Sequence, residues 1–227
     1  MKRSIKHIYG GKLGASDGEI GHVLDFYFDE QDWVVRYLVV DTGDWLPGRK
    51  VLLSPHSLKS LDPIGRMIQV GLTRKRIEES PPMDSHKPLS RRYEEEYYRY
   101  YGWPYYWDGG ALWGMSGFPI LELPPEVKPA GAAEAASADA HLRSTKAVTG
   151  YRVEAIDGTQ GHVVDFMIDD KTWAIGELVV RIGHRLSGKE VILPTSEVIR
   201  ISWEESAVYT RLTREIIEGS PANPIPV

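Results

Sequence analysis

Asp17-Gly18-Glu19-Ile20-Gly21-His22-Val23-Leu24-Asp25-Phe26 recurs as Asp157-Gly158-Thr159-Gln160-Gly161-His162-Val163-Val164-Asp165-Phe166. The register between the copies extends outward without a gap across residues 10–81 of the first. Trp33 aligns with Trp173, Leu38-Val39-Val40 with Leu178-Val179-Val180, and Gly43 and Gly48 with Gly183 and Gly188. Further on, Leu72-Thr73-Arg74 aligns with Leu212-Thr213-Arg214, and Ser80-Pro81 with Ser220-Pro221. A unit of this length exceeds a solenoid repeat and suits a whole small domain used twice. The chain reads as a tandem duplication.

Within the first copy, Ile20, His22, Leu24, Phe26 and Phe28 alternate with Gly21, Val23, Asp25, Tyr27 and Asp29, the period of a strand. Residues 29–32 form a polar turn, and residues 33–41 a returning strand rich in β-branched and aromatic side chains. A loop with Gly43, Pro47 and Gly48 leads to a third strand at 50–53, and 58–61 and 67–72 make a final hairpin around residues 62–65. Thr73 can cap a short helix that stops before Ser80-Pro81. Strands this short with turns this close predict a small antiparallel barrel, whose closure would hide the sheet edges. The fold class is mainly all-β. Its expected parts are a repeat at 1–82, an aromatic arm at 83–123, an Ala/Pro-rich linker at 124–146, a second repeat at 147–222 and a tail at 223–227.

Composition narrows the function. Cysteine is absent, which removes disulfides, thiolate metal sites and thiol nucleophiles together. A net charge of −5 argues against general nucleic-acid binding, which needs a basic face. No apolar run approaches the roughly 20 residues of a membrane span, and no apolar signal region follows the basic start. A bacterial cytoplasmic protein is the expectation.

The pattern Asp-Gly-x-x-Gly-x-Val-x-Asp-Phe, then Trp, Leu-Val-Val and Gly-Arg/Lys-x-Val-x-Leu, resembles the PRC-barrel family. Residues 17–26, Trp33, 38–40 and 49–53 carry it, and 157–166, Trp173, 178–180 and 189–193 carry it again. The resemblance covers both repeats but not the segment between them. It implies two six-stranded antiparallel barrels that act as docking modules without chemistry of their own. One branch of that family is the cytoplasmic part of the photosynthetic reaction-centre H subunit. Another is the C-terminal domain of a ribosome-maturation factor. The chain lacks the membrane helix of the first and the extra N-terminal domain of the second, so only the fold and the habit of binding proteins carry over.

The residues nominate no catalytic, metal or cofactor site. His22 and His162 each precede an aspartate by three positions, which in a regular strand puts the two side chains on opposite faces. Ser54, His56 and Ser57 have Pro194, Ser196 and Glu197 as their counterparts, so no nucleophile–base pair repeats. Asp29, Glu30 and Asp32, like Asp169 and Asp170, read as solvated hairpin tips rather than a calcium loop. Residues 10–14 lack the spacing of a phosphate loop. Asp17-Gly18 and Gly21 serve turn geometry.

The middle segment differs. Tyr93, Tyr97, Tyr98, Tyr100, Tyr101, Trp103, Tyr105, Tyr106, Trp107 and Trp113 crowd a stretch with few aliphatics, and residues 91–101 put Tyr93, Tyr97, Tyr100 and Tyr101 on one helical face. Such side chains either complete a small core or form an interface. The expected contact residues are Tyr93, Tyr97, Tyr101, Trp103, Tyr105, Tyr106, Trp107 and Trp113, with Trp45 at the tip of the loop 42–49. Arg185 replaces Trp45 in the second copy. The expected partners are proteins, including a second copy of the chain or a membrane complex bound peripherally. Nucleic acid is disfavoured because Glu94, Glu95 and Glu96 would repel a phosphate backbone.

Overall fold

The computed structural model describes residues 1–62, 66–83, 89–120, 141–183 and 188–223. The turn at 63–65, most of the expected linker, Arg185 and the end of the tail lie outside the described residues. A short strand β1 (Lys2–Ser4) and helix α1 (Ile5–Ile8) precede the first repeat. That repeat comprises β2 (Lys12–Ala15), β3 (Gly18–Asp29), β4 (Val34–Asp41), β5 (Lys50–Leu53), β6 (Leu58–Leu61), β7 (Met67–Val70) and α2 (Arg74–Glu78). The arm carries α3 (Arg91–Tyr101). Then β8 (Leu142–Ser144) and α4 (Thr145–Val148) introduce the second repeat: β9 (Arg152–Ala155), β10 (Gly158–Asp169), β11 (Ile175–Ile182), β12 (Lys189–Pro194), β13 (Val198–Ser202), β14 (Ala207–Thr210) and α5 (Arg214–Gly219).

The two sheets share one plan. Their strand orders are β5-β4-β3-β2-β7-β6 and β12-β11-β10-β9-β14-β13. The expected antiparallel barrels need three corrections. Each sheet is mixed, because β2 pairs with β7 and β9 with β14 in parallel. Each has seven strands, not six. Among the described residues neither path closes into a ring of hydrogen bonds. The sheets are curled nonetheless. The end strands β5 and β6 are joined through the single 3-10 turn Pro55–Ser57, a connection reaching about 17 Å, whereas six flat strands would hold their edges about 24 Å apart.

The long strand also departs from simple alternation. Val23 pairs with Val40 and Asp25 with Val39, leaving Leu24 as the extra residue of a bulge. A second bulge lies at Ile20, where Gly21 pairs with Leu13 and Glu19 with Gly14; the two reset the phase in turn, so Ile20, Val23, Phe26 and Phe28 are buried while His22 is exposed. The expected single face holding Ile20, His22 and Leu24 therefore does not exist. Gly21 lies where only glycine fits: at φ +147°, a Cβ would stand 1.9 Å from the Asp41 carbonyl oxygen.

The seventh strand of each sheet comes from the far side of the duplication. β1 precedes the first repeat yet pairs with β10 of the second, Ser4 opposite Met167. β8 precedes the second repeat yet pairs with β3 of the first, Ser144 opposite Tyr27. Residues 142–146, expected in the linker, thus belong to the folded body. The exchange is fastened by the repeated aspartates. Asp25 Oδ2 accepts from Ser144 Oγ at 2.5 Å, and its Oδ1 accepts from the Phe26 and Lys146 amides at 2.8 and 3.1 Å. Asp165 does the same for the other arm, accepting from Ser4 Oγ, the Phe166 amide at 2.7 Å and the Lys6 amide at 3.0 Å. Arg143 forks onto Glu30 at 2.8 and 2.6 Å, mirrored by Arg3 on Asp170 at 2.7 Å.

The repeats also meet directly. The Val35 amide donates to the Trp173 carbonyl at 2.9 Å and the Ile175 amide to the Trp33 carbonyl at 2.6 Å. Both tryptophans adopt positive φ, 54° and 61°, an uncommon conformation for such side chains. Reciprocity of this kind marks an approximate two-fold relation. Phe28 packs on Phe166 with ring centroids 5.7 Å apart, and one apolar cluster runs through both repeats. Replacing Asp25 or Asp165 by Ala leaves the donors of an exchanged arm without their acceptor. Each substitution is expected to cost about 1.5–3 kcal/mol in denaturant unfolding, with Asn costing less because it retains one acceptor.

Candidate functional site

The loop between β4 and β5 is folded by its own polar groups. Thr42 Oγ1 lies 2.7 Å from the Leu46 carbonyl and 2.6 Å from that of Arg49, while Asp41 accepts from the Gly43 amide at 3.0 Å. Arg49 donates to the carbonyls of Glu78 and Ser80 at 2.6 and 3.0 Å, tying the loop to the end of α2. Asp17 accepts from the Arg74 amide at 2.7 Å and so fixes the start of that helix, whose Thr73 cap matches the sequence expectation. These ties hold the half-buried Trp45 against Arg74, whose guanidinium carbon is 4.8 Å from the ring centroid. Together with Gly10, Lys12, Glu19, Gly21, His22 and Asp44 they line a cleft of about 750 Å³. Lys12 stands 3.6 Å from Glu19.

The second repeat keeps the frame and changes the contents. Asp157 accepts from the Arg214 amide at 2.8 Å, as Asp17 does from Arg74. Gln160 occupies the place of Ile20, and the Arg214 Nε donates to it at 3.2 Å. His22 is part of the cleft wall, and the carboxylates of Asp25 and Asp165 hold the exchanged arms.

The aromatic arm lies inside the body. Of the nine expected contact residues, Tyr97, Tyr101, Trp103, Tyr105, Tyr106 and Trp113 are buried, and Tyr93, Trp107 and Trp45 half-buried. The buried six offer no surface to another molecule, because this chain's first repeat has already taken it. Tyr97 donates to the Leu52 carbonyl and accepts from the Ser54 amide, both at 3.0 Å. Trp103 stacks on Tyr101 at 4.5 Å, and Trp113 reaches the second repeat, its Nε1 donating to the Thr172 carbonyl at 2.8 Å. Ser90 caps the start of α3 and left-handed Gly102 its end, and the buried face is Glu94, Tyr97, Tyr98 and Tyr101, with Tyr98 inward where Tyr100 was expected.

Sequence reasoning missed the polar centre of this packing. Glu94, fully buried, accepts from Tyr37 at 3.0 Å and Tyr106 at 2.8 Å, and its second oxygen lies 3.2 Å from Arg91 and 3.3 Å from His141. Burial alone would lower the His141 pKa, but Glu94 outweighs it and raises the value. Arg36, also fully buried, lies over the Tyr106 ring at 3.8 Å and pairs with Asp32 at 2.7 Å. The polar tips at 29–32 and 169–170 are thus structural: Asp29 and Asp169 each accept two amides of their own turns, and the neighbouring acids pair with arginines. The one signal available was Glu94 itself, an acid on the aromatic face of the helix.

Among the described residues, no three His, Asp or Glu side chains cluster as a metal site would require, and no helix is long and apolar enough to cross a membrane. The repeated strand plan, the bulged Asp-Phe strand and the glycine-backed cleft accord with the resemblance in the sequence. Residues 13–76 match the PRC-barrel domain family. The match covers the first repeat; the second repeat has a sheet of the same strand order. A search among curated proteins found no match to the chain.

Two outcomes follow from the buried groups. Glu94→Ala leaves the buried Tyr37 hydroxyl without its acceptor and removes the carboxylate facing Arg91 and His141, and is expected to lower unfolding stability by about 3–5 kcal/mol. Burial among Trp103, Tyr98 and Trp113 lowers the His56 pKa from 6.5 to about 4. The unfolded chain therefore binds this proton first, and stability is lost as pH falls from about 6.5 to about 4. His56→Phe is expected to flatten the urea-midpoint profile across that window.

Proposed function

We propose that the protein is a non-enzymatic, protein-binding scaffold in which two PRC-type barrels are fused into one rigid body. The carrying observation is the cleft beneath Trp45: a half-exposed tryptophan held by a braced loop, on the repeat that matches a family of interaction modules. Tryptophan in a preformed recess is the residue type most often found at interface hot spots. The aromatic arm supports this reading by stiffening the repeat that carries the cleft. The half-buried Tyr93 and Trp107 remain as secondary contacts, and the buried aromatics act by packing.

The partner is read as a protein bound through this face, which leaves self-association and peripheral docking on a membrane complex as variants of one mode. A photo-reactive phenylalanine analogue at position 45, in the full chain expressed in cells, is expected to cross-link to a protein identifiable by mass spectrometry. The same analogue at exposed Ile156 should not. With that partner purified, Trp45→Ala should weaken binding by roughly thirtyfold while leaving the thermal midpoint nearly unchanged. Equal cross-linking at both positions, or none, would reject the reading.

A further inference from the structure

We propose that the Trp45 cleft recognises a single carboxylate on an extended segment of a partner protein, the carboxylate meeting Arg74 and the neighbouring partner residue lying on Trp45. The inference rests on the protein-binding reading and names the chemistry of its site.

It comes from comparing the two repeats. Arg74 and Arg214 occupy equivalent positions at the start of equivalent helices, each held by an aspartate through its backbone amide. Their side chains differ in employment. Arg214 Nε donates to Gln160 at 3.2 Å. In the first repeat that position is Ile20, which cannot accept, and Arg74 Nε is shielded from solvent without a hydrogen-bond partner. Among the described residues the Arg74 side chain makes no ion pair, and its guanidinium lies over the Trp45 ring at 4.8 Å. A guanidinium stacked on an aromatic face is oriented in advance, and its planar fork matches a carboxylate. The second repeat has committed the Nε of its arginine internally; the first has not, and holds its guanidinium beside a tryptophan.

The charges around it set the number of anionic groups accepted. Lys12 is offset by Glu19 at 3.6 Å, and Asp44 adds a negative charge at the rim. A polyanion such as a nucleic-acid backbone would meet both acids, whereas one carboxylate can meet Arg74 alone. The cleft's volume of about 750 Å³ exceeds what a lone anion fills, and suits a ligand with several residues of chain. Its wall at Gly10 and Gly43 presents backbone without side chains, and the space beside each is open. That allows an extended partner chain to approach closely.

The test uses the full-length protein with isotope-labelled arginine and tryptophan side chains, titrated with three probes. These are the blocked peptide Gly-Leu-Glu-Phe-Gly, the same peptide with Gln for Glu, and sodium acetate. The glutamate peptide is expected to shift the Trp45 indole and Arg74 Nε signals. The glutamine peptide should bind roughly tenfold more weakly. Arg74→Gln should weaken the glutamate peptide by a similar factor without changing the thermal midpoint, and Arg214→Gln should leave its binding unchanged. Equal affinity for the two peptides, indifference to Arg74→Gln, or no shift with any probe would overturn the proposal. Acetate binding as tightly as the peptide would overturn it in favour of a small-anion site. Cross-linking at position 45 reports on the protein-binding reading separately, and would still be seen if only the carboxylate were wrong.

Discussion

A carboxylate set where the chain crosses from one repeat to the other holds this molecule together. Asp25 and Asp165 each receive a serine hydroxyl and a helix amide from the arm of the opposite repeat, besides the amide of the following phenylalanine. Ionised acceptors serve several donors at once, which suits an aspartate to fastening a short helix whose first amides have no partner of their own. Burial raises the Asp165 pKa while those hydrogen bonds pull it down, so the same contacts that fasten the arm also offset the cost of burying the charge. Because the exchange is reciprocal, neither repeat keeps a complete sheet without the other.

The consequence is one core in place of two marginal ones. Small sheets of this size bury too little surface to be robust alone, and here Phe28, Trp33, Phe166 and Trp173 join the interiors across the approximate two-fold. The arm then breaks the symmetry. It covers the outer face of β4, where Val34 through Val40 are all buried, whereas the corresponding β11 leaves Gly176 exposed. The first repeat is consequently clothed on one face and open at its cleft, and the second is open on the face the arm does not reach.

The copies share a frame around the cleft and differ in what that frame holds. Aspartate to arginine amide, glycine against the facing carbonyl and the bulged strand are retained on both sides. What changed is the partner of an arginine, Gln160 in one copy and Ile20 in the other. The exchange reaches the core, because Ile20 is a buried member of the apolar cluster, and Gln160, also buried, has its side chain satisfied by Arg214.

Much of the frame was legible in the residues: the duplication, the strand order in sequence, the Thr73 cap and the helical arm, since each rests on local patterns of period, capping and turn chemistry. The inward turn of Val23 was not, because a bulge changes phase without changing composition. Nor were the exchanged strands, the burial of Tyr97 and Trp113, or the pairing of Glu94 with His141, all contacts between residues distant in sequence. The amino-acid order by itself determined that one β-rich unit is present twice with an aromatic insert between. Only the tertiary structure decided which copy each arm completes, and that the repeated aspartates fasten those arms. A carboxylate's role depends on which donors the fold brings to it, and here those donors come from the opposite repeat.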